Sequence, residues 1–522
     1  MEVMDTLGLR TIAVSLALAL FVGWAWRVFN WVWVTPRKME KCLRKQGLHG
    51  NSYRFLFGDS KENSEMVKNA KSKPINLSGD VVARASPFIN HTVKKYGKNS
   101  FIWFGPTPRL LITDPELIRE VLTKNYRFKK LKQNPIVRMF SNGLGSIEGD
   151  QWAQHRKLLT PAFHLQKLKL MLPVMYISCT ELVRKWEEKV EKNGWCELDI
   201  VPDLHTLTSD VISRTAFGSS YKEGSRVFEI QRQQIELVMK SLQSVYIPGW
   251  RFLPTKNNKR MKELYNKIQS SLENIIDKKT KAMQAGETSS DDLLGVLLES
   301  ISNEQLHNDP RNVRMSLDDV IGECKLFYFA GQDTTSNVLV WTLILLSNHP
   351  DWQTRAREEV LQVLGSYGTP DFDNLNQLKV VTMILHEVLR LYPPGDTLTR
   401  KVHEETTLGG LTLPPGAEIS LPVLLLNYDQ NVWGEDAKEF NPERFAAGVS
   451  NATKNNLAAY IPFGWGPRIC IGQNFALLEA KLALATILQH FSFELSPSYT
   501  HAPTTVITLQ PQHGAYLIIH KL

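Results

Sequence analysis

Residues 463–472 read Phe463-Gly-Trp-Gly466-Pro-Arg468-Ile-Cys470-Ile-Gly472, which places a single cysteine in a glycine-punctuated loop. A helical pattern follows this loop, and the free N–H groups and dipole at a helix N-terminus stabilise a thiolate. We expect Gly466 and Gly472 to adopt positive φ and to let the backbone approach a flat ligand closely. The alternative is a buried, unreactive cysteine, which is the commoner role of a lone cysteine.

The composition is that of an ordinary globular protein, because 43% of the 522 residues are hydrophobic and 22% are charged. No linker-like stretch or internal repeat divides the chain after residue 50, so we expect one large domain over residues 51–522. The formal net charge is +8. Basic residues cluster beside an apolar N-terminus, which favours a membrane surface over nucleic acid as the partner. Five widely spaced cysteines predict neither a disulfide framework nor a zinc site.

The N-terminus predicts a membrane anchor. A largely apolar run from Thr11 to Val34, in which Arg27 is the one charged residue, is long enough to span a bilayer of about 30 Å. Five basic residues follow it, and the positive-inside rule then places the rest of the chain in the cytosol. They are Arg37, Lys38, Lys41, Arg44 and Lys45. We expect an anchor in residues 1–35 and a basic linker in residues 36–50.

Most of the remaining chain has helical periodicity, and three segments predict β-hairpins. They are residues 100–113, 406–413 and 504–520, the last with a turn near residues 511–514. Gly143, Gly145 and Gly149 do not match a dinucleotide-binding fingerprint, because the last glycine lies one residue too far along the chain. No nicotinamide or flavin site is evident, so electrons for a redox reaction must come from another protein.

The longest predicted helix begins at Ser316 with a capping box to Asp319, and it ends before Pro350. Its middle contains Ala330-Gly-Gln-Asp333-Thr334-Thr-Ser, in which an aspartate, two threonines and a serine beside a glycine are poor helix formers. Residues that disfavour a helix but lie in the middle of a long buried helix indicate a functional site. The alternative is a polar turn that faces solvent.

The loop at residues 463–472 resembles the haem-binding loop of the cytochrome P450 superfamily of haem-thiolate monooxygenases. The resemblance implies that Cys470 is the axial ligand to the iron of haem b, in a loop that runs from Phe463 to Gly472. The segment from Ala330 is similar to the oxygen-activation motif of the same superfamily. It implies that Thr334 hydrogen-bonds to O2 and that Asp333 relays protons from solvent, since O–O cleavage consumes two protons.

Further motifs occur in the family order. Glu387 and Arg390 match an i, i+3 pair that locks with Arg444 of Pro442-Glu-Arg-Phe445. Three positions match the contacts that the family makes to the haem propionates, where a buried dianion needs partners. They are Trp152 with Arg156, Arg400, and Arg468. The implied fold is the cytochrome P450 fold, mainly α with small β-sheets, preceded by an N-terminal transmembrane helix.

Three finer stretches resemble the secologanin-synthase-like group of plant enzymes. They are residues 46–58, 246–250 and 325–331. The group implies oxidation of a terpenoid, which is an iridoid, a triterpenoid sapogenin or a gibberellin-type diterpenoid, with C–C cleavage left open. It also implies O2 as oxidant, electrons from NADPH through a separate NADPH–cytochrome P450 reductase, and an endoplasmic reticulum membrane.

The resemblance places Ala330, Gly395, Asp396 and Ile507 at the substrate pocket. Gly395 and Asp396 replace the more usual aliphatic residue after two prolines, and a glycine there opens space above the haem. Asp396 either meets a substrate hydroxyl, because a desolvated carboxylate needs a donor, or points outward and caps a turn.

Two rival functions stay open at this point. The first is a reductase-independent haem-thiolate isomerase or lyase, and the second is a non-catalytic, membrane-anchored haem protein. Asp333 and Thr334 argue against both, because neither function needs a proton relay.

Overall fold

The computed structural model describes residues 2–191, 194–219, 221–242, 250–287, 292–302, 315–366 and 368–522. The run at residues 246–250 therefore lies largely outside the described residues. The fold is mainly α-helical. The helices are α1 (Glu2–Phe29), α2 (Thr35–Lys45), α3 (Ser60–Lys71), α4 (Val81–Ala85), α5 (Pro87–Tyr96), α6 (Pro115–Thr123), α7 (Pro135–Phe140), α8 (Gly149–Leu159), α9 (Leu165–Val190), α10 (Val201–Phe217), α11 (Tyr221–Leu242), α12 (Lys256–Gln284), α13 (Leu293–Ser302), α14 (Leu317–Asn348), α15 (Pro350–Leu364), α16 (Phe372–Gln377), α17 (Lys379–Leu391), α18 (Val423–Asn427), α19 (Gln430–Trp433), α20 (Gly448–Ala452) and α21 (Gln473–His490).

The strands form small sheets around this helical body. They are β1 (His49–Gly50), β2 (Ser100–Phe104), β3 (Thr107–Leu111), β4 (Phe128–Lys129), β5 (Trp195–Asp199), β6 (Leu398–Val402), β7 (Thr406–Leu408), β8 (Leu411–Leu413), β9 (Glu418–Leu421), β10 (Phe491–Leu495), β11 (Pro503–Val506), β12 (Thr508–Pro511) and β13 (Tyr516–Lys521). One sheet has the order β1-β2-β3-β9-β6-β4, and a second has the order β10-β13-β5. β7–β8 and β11–β12 are two-stranded.

The predicted long helix is α14, and its predicted capping box is confirmed. Ser316 Oγ accepts a hydrogen bond from Asp319 N at 3.1 Å, and Asp319 Oδ2 accepts from Ser316 N at 3.0 Å. At 1.5 Å per residue the 32 residues of α14 span about 48 Å. Gly331 lets α10 pack closely, because a Cβ there would lie 2.7 Å from Ile212. Most of α14 is buried, so this helix forms the centre of the main hydrophobic core.

Two of the three predicted hairpins are confirmed, as β2–β3 and β7–β8. The third prediction is wrong. β12 pairs with β11 around Ile507, whose φ is 66°, rather than with the segment after residue 514. β13 instead pairs with β10 and β5. The turn therefore falls on a β-branched residue in the left-handed region, which sequence patterns do not predict.

One helical segment among the described residues, Ile12–Lys45, contains a stretch of 18 residues with a mean hydropathy of 1.9, which is long and apolar enough to cross a membrane. Its last part, α2, packs on the domain. Leu43 is fully buried beside the first sheet, and Tyr53 Oη donates to Val32 O at 2.6 Å. The segment interpreted as a basic linker is thus largely helical, and the packed part of the chain begins before residue 51.

A fully buried ion pair fixes α17 to the segment that leads to the cysteine loop. Arg390 donates to both oxygens of Glu387 at 2.6 and 2.7 Å, and also to the carbonyls of Asn427 and Ala437. Arg444 lies 3.7 Å from Glu387. Because the Arg390 guanidinium is surrounded by acceptors, its burial is compensated.

Candidate active site

A cavity of about 380 Å³ lies between α14, α8, the strand β6 and the cysteine loop. Most of the predicted site residues line it. They are Trp152, Arg156, Ala330, Thr334, Gly395, Arg400, Phe463, Arg468, Cys470 and Gly472. The structure thus brings together positions that are more than 300 residues apart in sequence.

The cysteine loop takes its shape from two left-handed glycines. Gly464 has φ 76° and Gly466 has φ 72°. A Cβ on Gly466 would lie 2.7 Å from Leu122 O, so this position demands glycine for both conformation and space. Gly472 has φ −90°, so the expectation of positive φ at this residue is wrong. The sequence reasoning missed Gly464, although it is the first glycine of the same loop.

The cysteine thiol faces the cavity at the start of α21. Cys470 N donates to Phe463 O at 2.9 Å, which closes the loop. Burial raises the pKa of the Cys470 thiol, whereas the N–H of Gly472 and the cations Arg156 and Lys130 lower this pKa. The helix N-terminus and the nearby cations supply the electropositive surroundings that a thiolate ligand needs.

Cations gather at one edge of the cavity. Arg156 Nη1 donates to Ile469 O at 2.8 Å, and the Arg468 guanidinium lies 4.3 Å from the centre of the Trp152 ring. Arg468 pairs with Glu148 at 2.8 Å. Within the described residues, Arg156 and Arg400 have no ion-pair partner.

Burial, together with mutual repulsion, lowers the pKa values of this cluster. Burial and the charge of Arg468 lower the pKa of Arg400 to about 10. Burial and the charges of Arg400 and Arg468 lower the pKa of Lys130 to about 7. Such an excess of buried positive charge fits the two carboxylates of a haem edge. Lys130 was missed by the sequence reasoning, although it belongs to a basic run that follows β4.

The two residues of the oxygen-activation motif have different surroundings. Thr334 lines the cavity, and its Oγ1 donates to Ala330 O at 2.7 Å. Asp333 is buried and does not line the cavity. Its Oδ2 accepts from Thr508 Oγ1 at 2.5 Å, and Thr508 Oγ1 accepts from Asn337 Nδ2 at 3.1 Å.

The environment of Asp333 suits a group that exchanges protons. Burial raises the pKa of Asp333 to about 6, while the hydrogen bond from Thr508 opposes this rise. A carboxyl with a pKa near neutrality both accepts and releases protons at physiological pH. Thr508 was not found from the sequence, because it belongs to β12 and only the fold brings it to α14. Asn337 was also missed, although it lies one helical turn after Asp333 on α14, a spacing that places the two residues side by side.

The pocket positions divide into two groups. Gly395 lines the cavity, and a Cβ there would have no neighbour within 4 Å, so the space above the expected haem is open. Asp396 does not line the cavity, and its Oδ2 accepts from Thr505 at 2.7 Å and from Ser86 at 3.4 Å. Ile507 packs against a separate hydrophobic cluster that contains Phe140, outside the cavity.

Comparisons with known proteins agree with this geometry. The family model for Cytochrome P450 matches residues 81–518. The chain is 68% identical over 500 residues to cytochrome P450 72A397 of Kalopanax septemlobus, covering 96% of each chain. It is 53% identical over 522 residues to secologanin synthase 1 of Catharanthus roseus, covering 99% of each chain.

A third relative has a name that states a reaction. The chain is 52% identical over 521 residues to 7-deoxyloganic acid hydroxylase of Catharanthus roseus, covering 99% of this chain and 100% of that protein. Such identity over the full length, together with the matched family model, shows common descent rather than a shared motif. The chain belongs to the cytochrome P450 family of haem-thiolate monooxygenases, in the secologanin-synthase-like group of plant enzymes.

Proposed function

We propose that this enzyme inserts one oxygen atom from O2 into a terpenoid, with electrons from NADPH delivered by a separate reductase. The observation that carries the proposal is the shared cavity of Cys470, Thr334 and the cations Arg156, Arg400 and Arg468. A thiolate, a hydroxyl and a cationic edge are the groups that haem-thiolate oxygen chemistry requires of a protein.

Each residue of the site has a task in the proposed reaction. Cys470 would ligate haem iron, while Arg156, Arg400, Arg468 and Trp152 would hold the propionates. The haem supplies the activation of O2. Thr334 donates its hydroxyl proton to Ala330 O and so presents the oxygen of this hydroxyl to the cavity as an acceptor. Asp333, whose Oδ2 accepts from Thr508, would supply the proton that replaces the one consumed. Because Asp333 lies outside the cavity wall, proton delivery avoids filling the cavity with water.

The cavity supports an apolar, polycyclic substrate. Its remaining wall is largely hydrophobic, with Leu326, Phe327, Val338 and Leu389. The open space at Gly395 suits a bulky skeleton. We therefore propose a triterpenoid sapogenin or an iridoid or secoiridoid as substrate. The alternatives are oxidation of a gibberellin-type diterpenoid and oxidative C–C cleavage of an iridoid.

We further propose that NADPH–cytochrome P450 reductase is the redox partner, at the endoplasmic reticulum membrane. The apolar N-terminal helix supports a single-pass anchor, and the basic residues of α2 support a cytosolic catalytic domain. The proposed segments are an anchor in residues 1–35, a basic linker in residues 36–50, which is largely the helix α2 packed on the domain, and the catalytic domain in residues 51–522.

The substitution Cys470→Ser tests the assignment of the ligand. An alcohol does not replace a thiolate as electron donor, so the variant should lose the red-shifted band of the reduced carbon monoxide complex and all turnover. Cys196→Ser is the matched control, because Cys196 lies in β5 away from the cavity and should keep both properties. A Cys470→Ser protein that retained the band would show that another residue is the ligand. Turnover of a terpenoid panel that proceeds without reductase would favour an isomerase or lyase.

A further inference from the structure

A second and larger depression, of about 720 Å³, opens beside the haem cavity. We call it the basic groove. It lies between the segment 129–133, the segment 142–151 that leads into α8, and the strand end at residues 401–403 with Pro415 and Gly416. Its volume falls within the range of about 300–1,000 Å³ that is usual for small-molecule sites.

Uncompensated positive charge surrounds this groove. Its cations are Lys129, Lys130, Lys132, Arg138 and Lys401. Glu148 is the one carboxylate among the groove residues, and it is already engaged by Arg468 at 2.8 Å and by Lys130 N at 2.9 Å. Lys132, Arg138 and Lys401 are exposed and form no ion pair with any described residue. The groove therefore attracts an anion.

The wall between these cations is apolar. Leu131, Ile147, Val402 and Pro415 contribute hydrophobic surface to it. Gln133 adds an Oε1 atom that is buried and has no hydrogen-bond partner among the described residues. A hydrophobic wall with a cationic rim matches an amphipathic acid better than a highly charged polyanion.

Lys130 connects the groove to the haem cavity, because its side chain lines both. Its Nζ donates to Gly145 O at 2.5 Å, which keeps the ammonium group between the two spaces. A ligand in the groove would thus lie one side chain away from the cavity.

We propose that the basic groove binds a carboxylate-bearing terpenoid outside the haem cavity, with the carboxylate at the cationic rim and the hydrocarbon skeleton on the apolar wall. This inference rests on the proposed terpenoid substrate class and adds to it an acidic group. The groove is then a site from which an acidic substrate passes to the cavity.

Equilibrium dialysis of the haem-loaded, full-length enzyme tests this proposal. The probe is a radiolabelled pentacyclic triterpenoid monocarboxylic acid, compared with its neutral methyl ester, while an azole inhibitor fills the haem cavity. We expect one equivalent of the acid to bind to the azole-filled protein, at least tenfold more tightly than the ester. Binding should weaken as salt is added, because salt screens exposed charges.

The triple variant Lys132→Gln, Arg138→Gln, Lys401→Gln should weaken binding of the acid at least tenfold and leave azole affinity unchanged. A matched control replaces Lys256, Lys259 and Lys262 of α12, which are exposed cations away from the groove, and should bind like the wild type. The proposal is overturned if the azole abolishes acid binding, if the ester binds equally, or if the triple variant binds the acid like the wild type. In the last case, slower reduction of the variant by the reductase would identify the groove as a reductase contact. Turnover of a neutral terpenoid reports on the proposed function independently of these outcomes.

Discussion

Asp333 shows how single residues set the chemistry of this site. Its carboxylate is buried, and the hydroxyl of Thr508 is the donor that stabilises its ionised form. Asn337 fixes that hydroxyl in turn, through its contact at 3.1 Å. Thr508 is therefore a positioning residue for the proposed proton relay, although it belongs to a β-strand near the C-terminus.

Thr508→Val should raise the pKa of Asp333 above about 6, because the variant removes a hydrogen bond that favours the carboxylate. Proton donation fails as pH rises through the pKa of the donor. Coupling is measured as the product formed per NADPH consumed. The midpoint, which is the pH at which half of this coupling is lost, should therefore be higher in the variant than in the wild type. Thr508→Ser keeps the hydroxyl and should restore the wild-type midpoint. An unchanged midpoint in Thr508→Val, with a normal carbon monoxide spectrum, would contradict the role of Thr508.

Gly395 should control how substrate approaches the haem. A Cβ at this position enters open space, so Gly395→Val is sterically tolerated by the protein but fills the cavity. We expect this variant to change the position of oxidation or to exclude the larger terpenoids, with Gly395→Ala intermediate. Product analysis by mass spectrometry measures the effect. Identical product ratios in all three proteins would show that substrate does not pass this residue.

At the scale of elements, Glu323 ties three segments together. This α14 residue accepts from Leu144 N at 3.0 Å, and its other oxygen lies 2.7 Å from His155 Nδ1 in α8. The loop before α8 also packs closely on α14, since a Cβ on Gly322 would lie 2.1 Å from Asn142 O. Because α8 also carries Trp152 and Arg156, Glu323 positions the helix that would hold the propionates.

Glu323→Ala should loosen α8 and accelerate loss of haem. The variant leaves a buried N–H and a buried imidazole without their partner, at a cost of about 1–3 kcal/mol for each group. The rate of haem transfer to an apomyoglobin acceptor measures the effect, together with the thermal unfolding midpoint. Glu358→Ala, on the exposed face of α15, is the control for loss of a helical glutamate. Equal transfer rates in the two variants would contradict this account of α8.

The element scale also shows where sequence patterns fail. The capping box of α14 and the hairpins β2–β3 and β7–β8 were predicted because their signals are local. The hairpin expected at residues 504–520 was not found, because β13 obtains its hydrogen bonds from β10 and β5. Strand pairing between segments that are distant in sequence cannot be recognised from the turn residues.

At the scale of the whole molecule, the fold class was predictable because each family motif requires particular residue types at fixed positions. The cavity then assembled ten of the predicted residues from segments between Trp152 and Gly472. Residues that act through others, such as Thr508 and Lys130, were beyond prediction, because their spacing carries no signal and only tertiary packing defines their partners.

The central claim is that the whole enzyme is a monooxygenase that acts on terpenoids, and oxygen-18 labelling tests it most directly. The full-length protein, its reductase and NADPH would be incubated with a terpenoid panel under labelled O2 in ordinary water. The account predicts a hydroxylated terpenoid that carries one labelled oxygen atom, and no product without reductase. A product whose new oxygen comes from water, or one that forms without O2 and reductase, would contradict it.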